Sequence, residues 1–261
     1  MTDFINIKIL SVYTVEVSIL FIELDTHFHS VASTHAYSTV KEIAKSAADF
    51  GIKGFALTDH APAIYDAPHV WHFRNLKVLP DYIEGVRVIK GVEANISDFE
   101  GNIDMNSFEL EFVDWVIASY HWVVVKNPDH KDCTESYISL ARNNPRVDVI
   151  GHAGSPSYPF DMEKVLKVFK EYDKLVEINE SAILYKDGSR ELNVEMLKIC
   201  KKYEIPVVVN SDGHYCDLVG RVSEAEKMIK EIGYPEELIA NRHAENIYRR
   251  ISLKRPDFAV R

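Results

Sequence analysis

Cysteine is scarce. The chain has three, Cys133, Cys200 and Cys216, and no two are spaced as C-x-x-C. An odd, scattered set excludes a disulfide framework and fits a reducing, cytoplasmic compartment. No apolar run reaches about 18 residues, so no membrane-spanning helix is expected. The most apolar stretch, residues 9–22, is too short to span and contains Glu16. It also lacks the basic start and small-residue cleavage site of a signal peptide. Residues 1–21 are therefore set apart as an N-terminal extension, either an extra edge strand, a β-hairpin arm or a poorly ordered segment. Positive charge is also in short supply: 30 Lys and Arg against 40 Asp and Glu give a formal net charge of −10. Such a chain is poorly suited to nucleic acid, because neutralising phosphates takes Lys and Arg. An anionic small molecule stays open, since bound cations reverse a local field.

What the chain does have is 261 residues, 46% of them hydrophobic, enough for one large α/β domain with its own core. Seven short apolar runs read as strands: 21–25, 54–58, 86–92, 112–119, 147–150, 175–178 and 206–209. Helical patterns fall between most of them. Ser38 is placed as the N-cap of a helix over Thr39–Phe50, where Ile43, Ala44, Ala47 and Phe50 keep a 3,4-spaced apolar face and Gly51 closes the end. Further helices are placed near Cys133–Asn143, Met162–Tyr172, Leu192–Tyr203 and Val219–Ile232, with a charged tail beyond. Residues 61–80 hold three prolines and no clear period, and read as a long loop of the kind that serves as a lid. Alternating strands and helices signal a parallel α/β sheet or barrel. Seven units favour a distorted seven-stranded, TIM-like (β/α)7 barrel over a doubly wound open sheet. No linker divides residues 22–261, which are taken as one catalytic domain.

Polar residues gather where these strands end. His27 and His29 follow the first strand, His60 the second, Glu93 the third, His121 the fourth and His152 the fifth. Asp212 and His214 follow the seventh. A lone His-x-His is as consistent with two polar residues at a loop entrance. Metal-type ligands at six of seven strand ends are not, because the carboxyl ends of parallel strands converge on one face. The site is therefore read as a metal site at the carboxyl ends of the strands. No cysteine sits there, so nitrogen and oxygen ligands point to Zn, Mn or Fe in a catalytic role rather than a closed structural zinc. With His35 there are nine candidates, and one ion needs only three or four. Nine imply two or three ions, with Glu93 able to bridge a pair. Paired ions clamp the oxygens of an in-line displacement at phosphorus, and a bound water ionises near neutral pH, so phosphate ester hydrolysis is the natural chemistry.

At these residues the chain resembles a known family. Asp25-Thr26-His27-Phe28-His29, Thr58-Asp59-His60, Gly91-Val92-Glu93, His121, Gly151-His152 and Ser211-Asp212-Gly213-His214 are similar to the motifs of the PHP (polymerase and histidinol phosphatase) family. Val31 to Ser38, Asp66-Ala67-Pro68-His69, Trp71-His72-Phe73 and Glu93-Ala94-Asn95-Ile96 read like its YcdX-like phosphatase branch. The resemblance runs from about residue 22 to the end. It implies a trinuclear centre of three divalent ions, usually zinc. By that resemblance His27, His29, Glu93 and Asp212 hold one ion, His35, His60 and His214 a second, and Glu93, His121 and His152 a third. Thr26 stands where the family often has Leu and leaves the ligands untouched.

Secondary candidates for substrate contact are His69 and His72 on the long loop, Arg74, Arg221, and Asn179 at the end of the sixth strand. Loop packing, surface charge and a turn role compete with that at each. Asp59 either orients His60 or begins a turn. The expected function is a metal-dependent phosphatase for a small phosphorylated substrate, using metal-bound hydroxide. Three rivals are kept. Phosphodiesterase or exonuclease action suits an acidic chain without a polymerase domain less well. Amidohydrolases also open with His-x-His but usually need a lysine at strand four, where Tyr120-His121 stands. A non-catalytic metal-dependent binding module would keep the ligands without turnover. A homo-oligomer is compatible with all of these.

Overall fold

A computed structural model describes residues 21–260. The arm or strand expected over 1–21 lies outside the described residues, except for Phe21. Strand β1 (Leu24–Phe28) is followed by α1 (Val40–Phe50) and β2 (Gly54–Leu57). Then come α2 (Trp71–Asn75), a two-residue strand β3 (Tyr82–Ile83) and the ten-residue β4 (Val86–Asn95). The chain continues through α3 (Ser107–Leu110), β5 (Trp115–Ser119), α4 (Thr134–Asn143), β6 (Val149–Ile150) and α5 (Met162–Glu171). It ends with β7 (Leu175–Asn179), α6 (Glu180–Tyr185), α7 (Ser189–Tyr203), β8 (Val207–Asn210), α8 (Ser223–Ile232) and α9 (Ala244–Lys254). Parallel pairing runs β1-β2-β4-β5-β6-β7-β8, and β3 adds an antiparallel hairpin to β4. These seven parallel strands form a nearly closed α/β barrel. Among the described residues no helix is long and apolar enough to cross a membrane, and the three cysteines are free.

Several boundaries differ from expectation, each for a local reason. The first strand sits at 24–28, not 21–25, because Leu24 and Asp25 pair with Gly54 and Phe55, and this puts His27 inside the strand. The N-cap of α1 is Thr39, not Ser38. Thr39 and Glu42 form a reciprocal capping box, while the Ser38 hydroxyl accepts from the Cys216 backbone N–H at 2.9 Å. The long loop is not structureless, since α2 buries Phe73, and Leu76 packs just beyond it. The charged tail contains α9, whose Ala244, Ile247 and Ile251 are buried at helical spacing.

That last helix explains the barrel interior. Ala244, Ile247 and Ile251 pack with Leu24, Ala56, Ile89, Trp115, Ile117, Val149, Leu175 and Val208, one or more from each of the seven barrel strands. In a strand, residues two and four apart share a face. Ile89 therefore predicts the direction of Glu93 and Leu175 that of Glu177, while His121 and Asp212 stand just beyond the ends of β5 and β8. The apolar floor and the polar layer above it are one alternating pattern.

Closure between β1 and β8 is made largely by side chains. At the top, Asp212 N–H donates to the His27 carbonyl (3.1 Å) and His29 N–H to the Gly213 carbonyl (3.0 Å). Below, Asn210 Oδ1 accepts from Thr26 N–H (2.9 Å) and its hydroxyl (2.8 Å). Lower still, buried Asn241 donates to the carbonyls of Leu24 (2.8 Å) and Val209 (2.5 Å), and accepts from Val209 N–H (3.0 Å). Asn241→Leu strands three backbone groups at that seam. It is expected to cost about 3 kcal/mol or more of unfolding free energy, read as a fall in the urea midpoint. An unchanged midpoint would show that the seam does not depend on this amide.

Candidate metal centre

The nine predicted donors converge at the carboxyl ends of the barrel strands. Glu93 is at their centre, 1% exposed at its side chain. Its Oε2 lies 2.7 Å from His60 Nδ1, 3.4 Å from His27 Nε2 and 3.6 Å from His29 Nε2. Its Oε1 lies 3.2 Å from both His121 Nε2 and His152 Nε2. Asp212 Oδ1 is 3.1 Å from His29 Nε2 and 3.5 Å from His27 Nε2. His35 Nε2 faces His214 Nε2 at 2.9 Å and His60 Nε2 at 3.3 Å. Three sets of donors lie within 4.8 Å of one another: His29, His60 and His214; His27, His29 and Asp212; and His60, Glu93 and His121. His29 and His60 each appear in two sets, so the sets overlap rather than divide into separate sites.

These contacts have the scale of a coordination shell. A tetrahedral ion with bonds of about 2.0–2.1 Å sets ligand-to-ligand edges of roughly 3.4 Å. The separations around His27, His29, Glu93 and Asp212 run from 3.1 to 3.6 Å. His27 Nε2 is buried among these acceptors without a hydrogen-bond partner, and His60 Nδ1 and Glu93 Oε2 face only each other, at 2.7 Å. Orphaned buried donors and acceptors are costly unless something else meets them. The residues fit a divalent cation.

Electrostatics support that fit. Burial alone would raise the Glu93 carboxyl, but the His121, His27 and His60 imidazoles hold it well below the usual range. Asp212 is held down in the same way by His27 and His29 against its burial. Burial, with His60 and His214 alongside, pushes His29 down to about 3, and burial lowers His121 to about 4 despite Glu93. The low values at His29 and His121 and the ionised carboxylates give the forms a metal requires, whereas against their burial Glu177, Asp212 and Glu93 raise His27 well above the usual range and Glu93 raises His60.

A second layer holds the first. His27 Nδ1 meets Glu177 Oε1 at 2.7 Å, both side chains fully buried. His121 Nδ1 donates to Asn95 Oδ1 (2.7 Å), His35 Nδ1 to Asp66 Oδ2 (2.6 Å), and His214 Nδ1 to the Asp212 carbonyl (3.0 Å). Each contact fixes the ring so that Nε2 faces inward, the usual device for orienting histidine ligands. Asp25 accepts from the Ser211 hydroxyl (2.5 Å) and Gly220 N–H (2.8 Å), tying β1 to the segment that carries Asp212 and His214. Asp212 and His152 hold positive φ of 53° and 26°, backbone strain of the kind found at functional sites. Gly213 has no room for a side chain, since a Cβ would meet the Phe28 ring at 2.2 Å.

The secondary candidates divide. Arg221 lines the cavity above the donors, a space of about 550 Å³ that also reaches Glu180, Ser181, Leu184, Tyr185, Lys186 and Leu218. Asn179 is beside the donors, with Nδ2 on Asp212 Oδ2 (3.1 Å) and Glu177 Oε2 (3.0 Å), while its Oδ1 caps α6. His69, His72 and Arg74 do not line this cavity. His69 packs edge-on against Trp71. His72 is 3.2 Å from Asp59, which also binds the Ser30 and Ser33 hydroxyls. Arg74 pairs with Glu109 and lies over Phe108. His72 and Arg74 belong to α2, and their partners there are Asp59 and Glu109. Glu177, Asn95, Asp66 and Lys186 were not anticipated. Glu177 had a signal, a lone carboxylate in an otherwise apolar strand, two residues above inward-facing Leu175.

The PHP domain family matches residues 25–183. A probable phosphatase of Acetivibrio thermocellus is 42% identical over 232 residues, covering 89% of this chain and 96% of that protein. One from Thermoanaerobacter sp. is 46% identical over 219 residues, covering 84% and 89%. The chain belongs to the PHP family. Its fold is also similar to the histidinol phosphate phosphatase of Lactococcus lactis, a structure complexed with zinc, L-histidinol and phosphate. That similarity has a TM-score of 0.56 at 16% identity, over 81% of this chain and 94% of that one.

Proposed function

We propose that this protein is a metal-dependent phosphatase that hydrolyses a small-molecule phosphomonoester at a trinuclear centre. The observation that carries this is the sharing of Glu93: its two oxygens face two different groups of imidazoles. His27, His29, Glu93 and Asp212 would hold one ion, His35, His60 and His214 a second, and Glu93, His121 and His152 a third. Zinc suits this donor set, and Mn or Fe shares it. Such ions supply an ionised water near neutral pH and positive charge against phosphoryl oxygens.

The chain's own residues do the positioning. Glu177, Asn95 and Asp66 hold protons at the outer nitrogens of His27, His121 and His35, leaving the inner ones as acceptors. Asn179 fixes Asp212, and the strained turn at Asp212 aims the carboxylate inward. Residues 22–261 act as one catalytic domain in this proposal, and the free thiols suit a cytoplasmic setting. The phosphatase names of the 42% and 46% identical relatives support the reaction class.

The test is elemental analysis after saturation with Zn or Mn and removal of excess metal, together with a phosphomonoester screen. Close to three ions per chain with metal-dependent phosphate release is expected. One ion or none overturns the trinuclear centre. Faster release of mononucleotides from single-stranded DNA than of phosphate from monoesters would replace phosphatase with exonuclease.

A further inference from the structure

The cavity above the donors is larger than a phosphoryl group needs, and its second wall has a composition of its own. At about 550 Å³ it is in the range of small-molecule sites. With the phosphoryl group against the His and Asp donors, the leaving group must occupy the space beside α6 and the segment before α8. Ser181, Leu184, Tyr185, Lys186, Leu218, Arg221 and Ser223 line that space. The only carboxylate among the described residues of this wall is Glu180, and it is already engaged. Its oxygens accept from Glu224 N–H (2.9 Å), Ala225 N–H (2.8 Å) and the Ser223 hydroxyl (3.4 Å).

The two cations are differently placed. Lys186 is exposed and has no carboxylate partner among the described residues. The Arg221 guanidinium lies 4.1 Å from the centre of the Phe50 ring, its only polar contact there a 3.4 Å bond from Nε to the Asp217 carbonyl. The ring holds the guanidinium by its face, and its other N–H donors have no partner among the described residues. In a chain of net charge −10, two cations without a carboxylate partner among the described residues stand together at one wall of the cavity.

We propose that Lys186 and Arg221 form an anion-recognition subsite for the leaving group. The substrate is then a phosphomonoester whose alcohol half carries its own negative group, a carboxylate or a second phosphate, and not an amine. This rests on the phosphatase function proposed above and narrows its substrate class. It also separates this chain from an enzyme for a cationic amino alcohol, because an amine would meet like charge at this wall.

The experiment compares four probes with the metal-loaded protein: phosphoethanolamine, glycerol 3-phosphate, 3-phosphoglycerate and propane-1,3-diyl bisphosphate. The expected kcat/KM for an anionic probe exceeds that for glycerol 3-phosphate by about tenfold, the scale that two partly screened ion pairs supply, with phosphoethanolamine lowest. The better of the two anionic probes tells carboxylate from phosphate. Lys186→Ala with Arg221→Ala should bring the anionic-to-neutral ratio toward one, mainly through KM. Lys186→Arg should keep the ratio, and Lys186→Glu should raise phosphoethanolamine relative to 3-phosphoglycerate. A wild-type preference for phosphoethanolamine, or a ratio unmoved by the double variant, overturns the subsite while leaving the phosphatase intact. No phosphate release from any of the four overturns both.

Discussion

Glu93→Ala is expected to lower kcat/KM for phosphomonoester hydrolysis by about three orders of magnitude or more, the effect of losing several kcal/mol of charge stabilisation at a metal site. Bound metal should fall with it. One carboxylate faces five imidazoles, His27, His29 and His60 through Oε2 and His121 and His152 through Oε1. In the proposed centre its removal would take a ligand from two ions at once. Glu93→Gln keeps the shape but turns an N–H₂ toward nitrogens that should accept from a cation, so it should be nearly as damaging. The fold should survive, because β4 is held by backbone pairing to β2 and β5. Elemental analysis, kcat/KM and circular dichroism on the same preparation separate these effects. Unchanged turnover in Glu93→Ala would sink the proposed centre.

Glu177→Gln should weaken metal affinity by about 10–100-fold without removing a ligand, the usual scale for a group that orients a metal-binding histidine. Glu177 accepts four hydrogen bonds in a dry setting: His27 Nδ1 (2.7 Å), His152 N–H (2.7 Å), Asn210 Nδ2 (2.8 Å) and Asn179 Nδ2 (3.0 Å). It has no spare capacity, and glutamine replaces one acceptor with a donor. At least one partner is then faced by another N–H, and His27 loses the carboxylate that raises its affinity for a proton or a metal. The expected signature is activity recovered at high metal concentration. Competition with a chelator measures the shift, and an affinity equal to wild type would show that Glu177 is structural only.

The barrel and the nine converging donors were legible because one periodicity carries both. Strand alternation sets an apolar floor from Ile89, Ile117, Leu175 and Val208 and projects Glu93 and Glu177 above it, and the strands end so that His121 and Asp212 follow at the same rim. The outer ring of supports was less legible. Asn95 lies next to a recognised motif, but its role depends on facing His121 across the β4–β5 pair. Asp66 reaches His35 from a loop 31 residues away in sequence. Lys186 is at the end of a six-residue helix that no periodicity marks. That His72 and Arg74 lie off the cavity lining could not be read, because residue type and proximity to a motif say nothing about which way a short helix such as α2 turns. Helix α9 was missed because four of its eleven residues are charged, while its three inward apolar positions suffice to cover the barrel floor.

The seam between the first and last strands bears on how the molecule comes to exist. Asn241 holds the Leu24 carbonyl across 217 residues of sequence. At about 5–20 residues per second, roughly 10–40 s separate their emergence from a ribosome. Until then His27 and His29 have no fixed relation to Asp212, and β1 presents an unpaired edge. Contacts this distant make folding slow and leave the nascent chain open to wrong pairing. The proposed metal centre would therefore be a late product of synthesis, since its donors run from His27 to His214 and the set is complete only once residue 214 has been made.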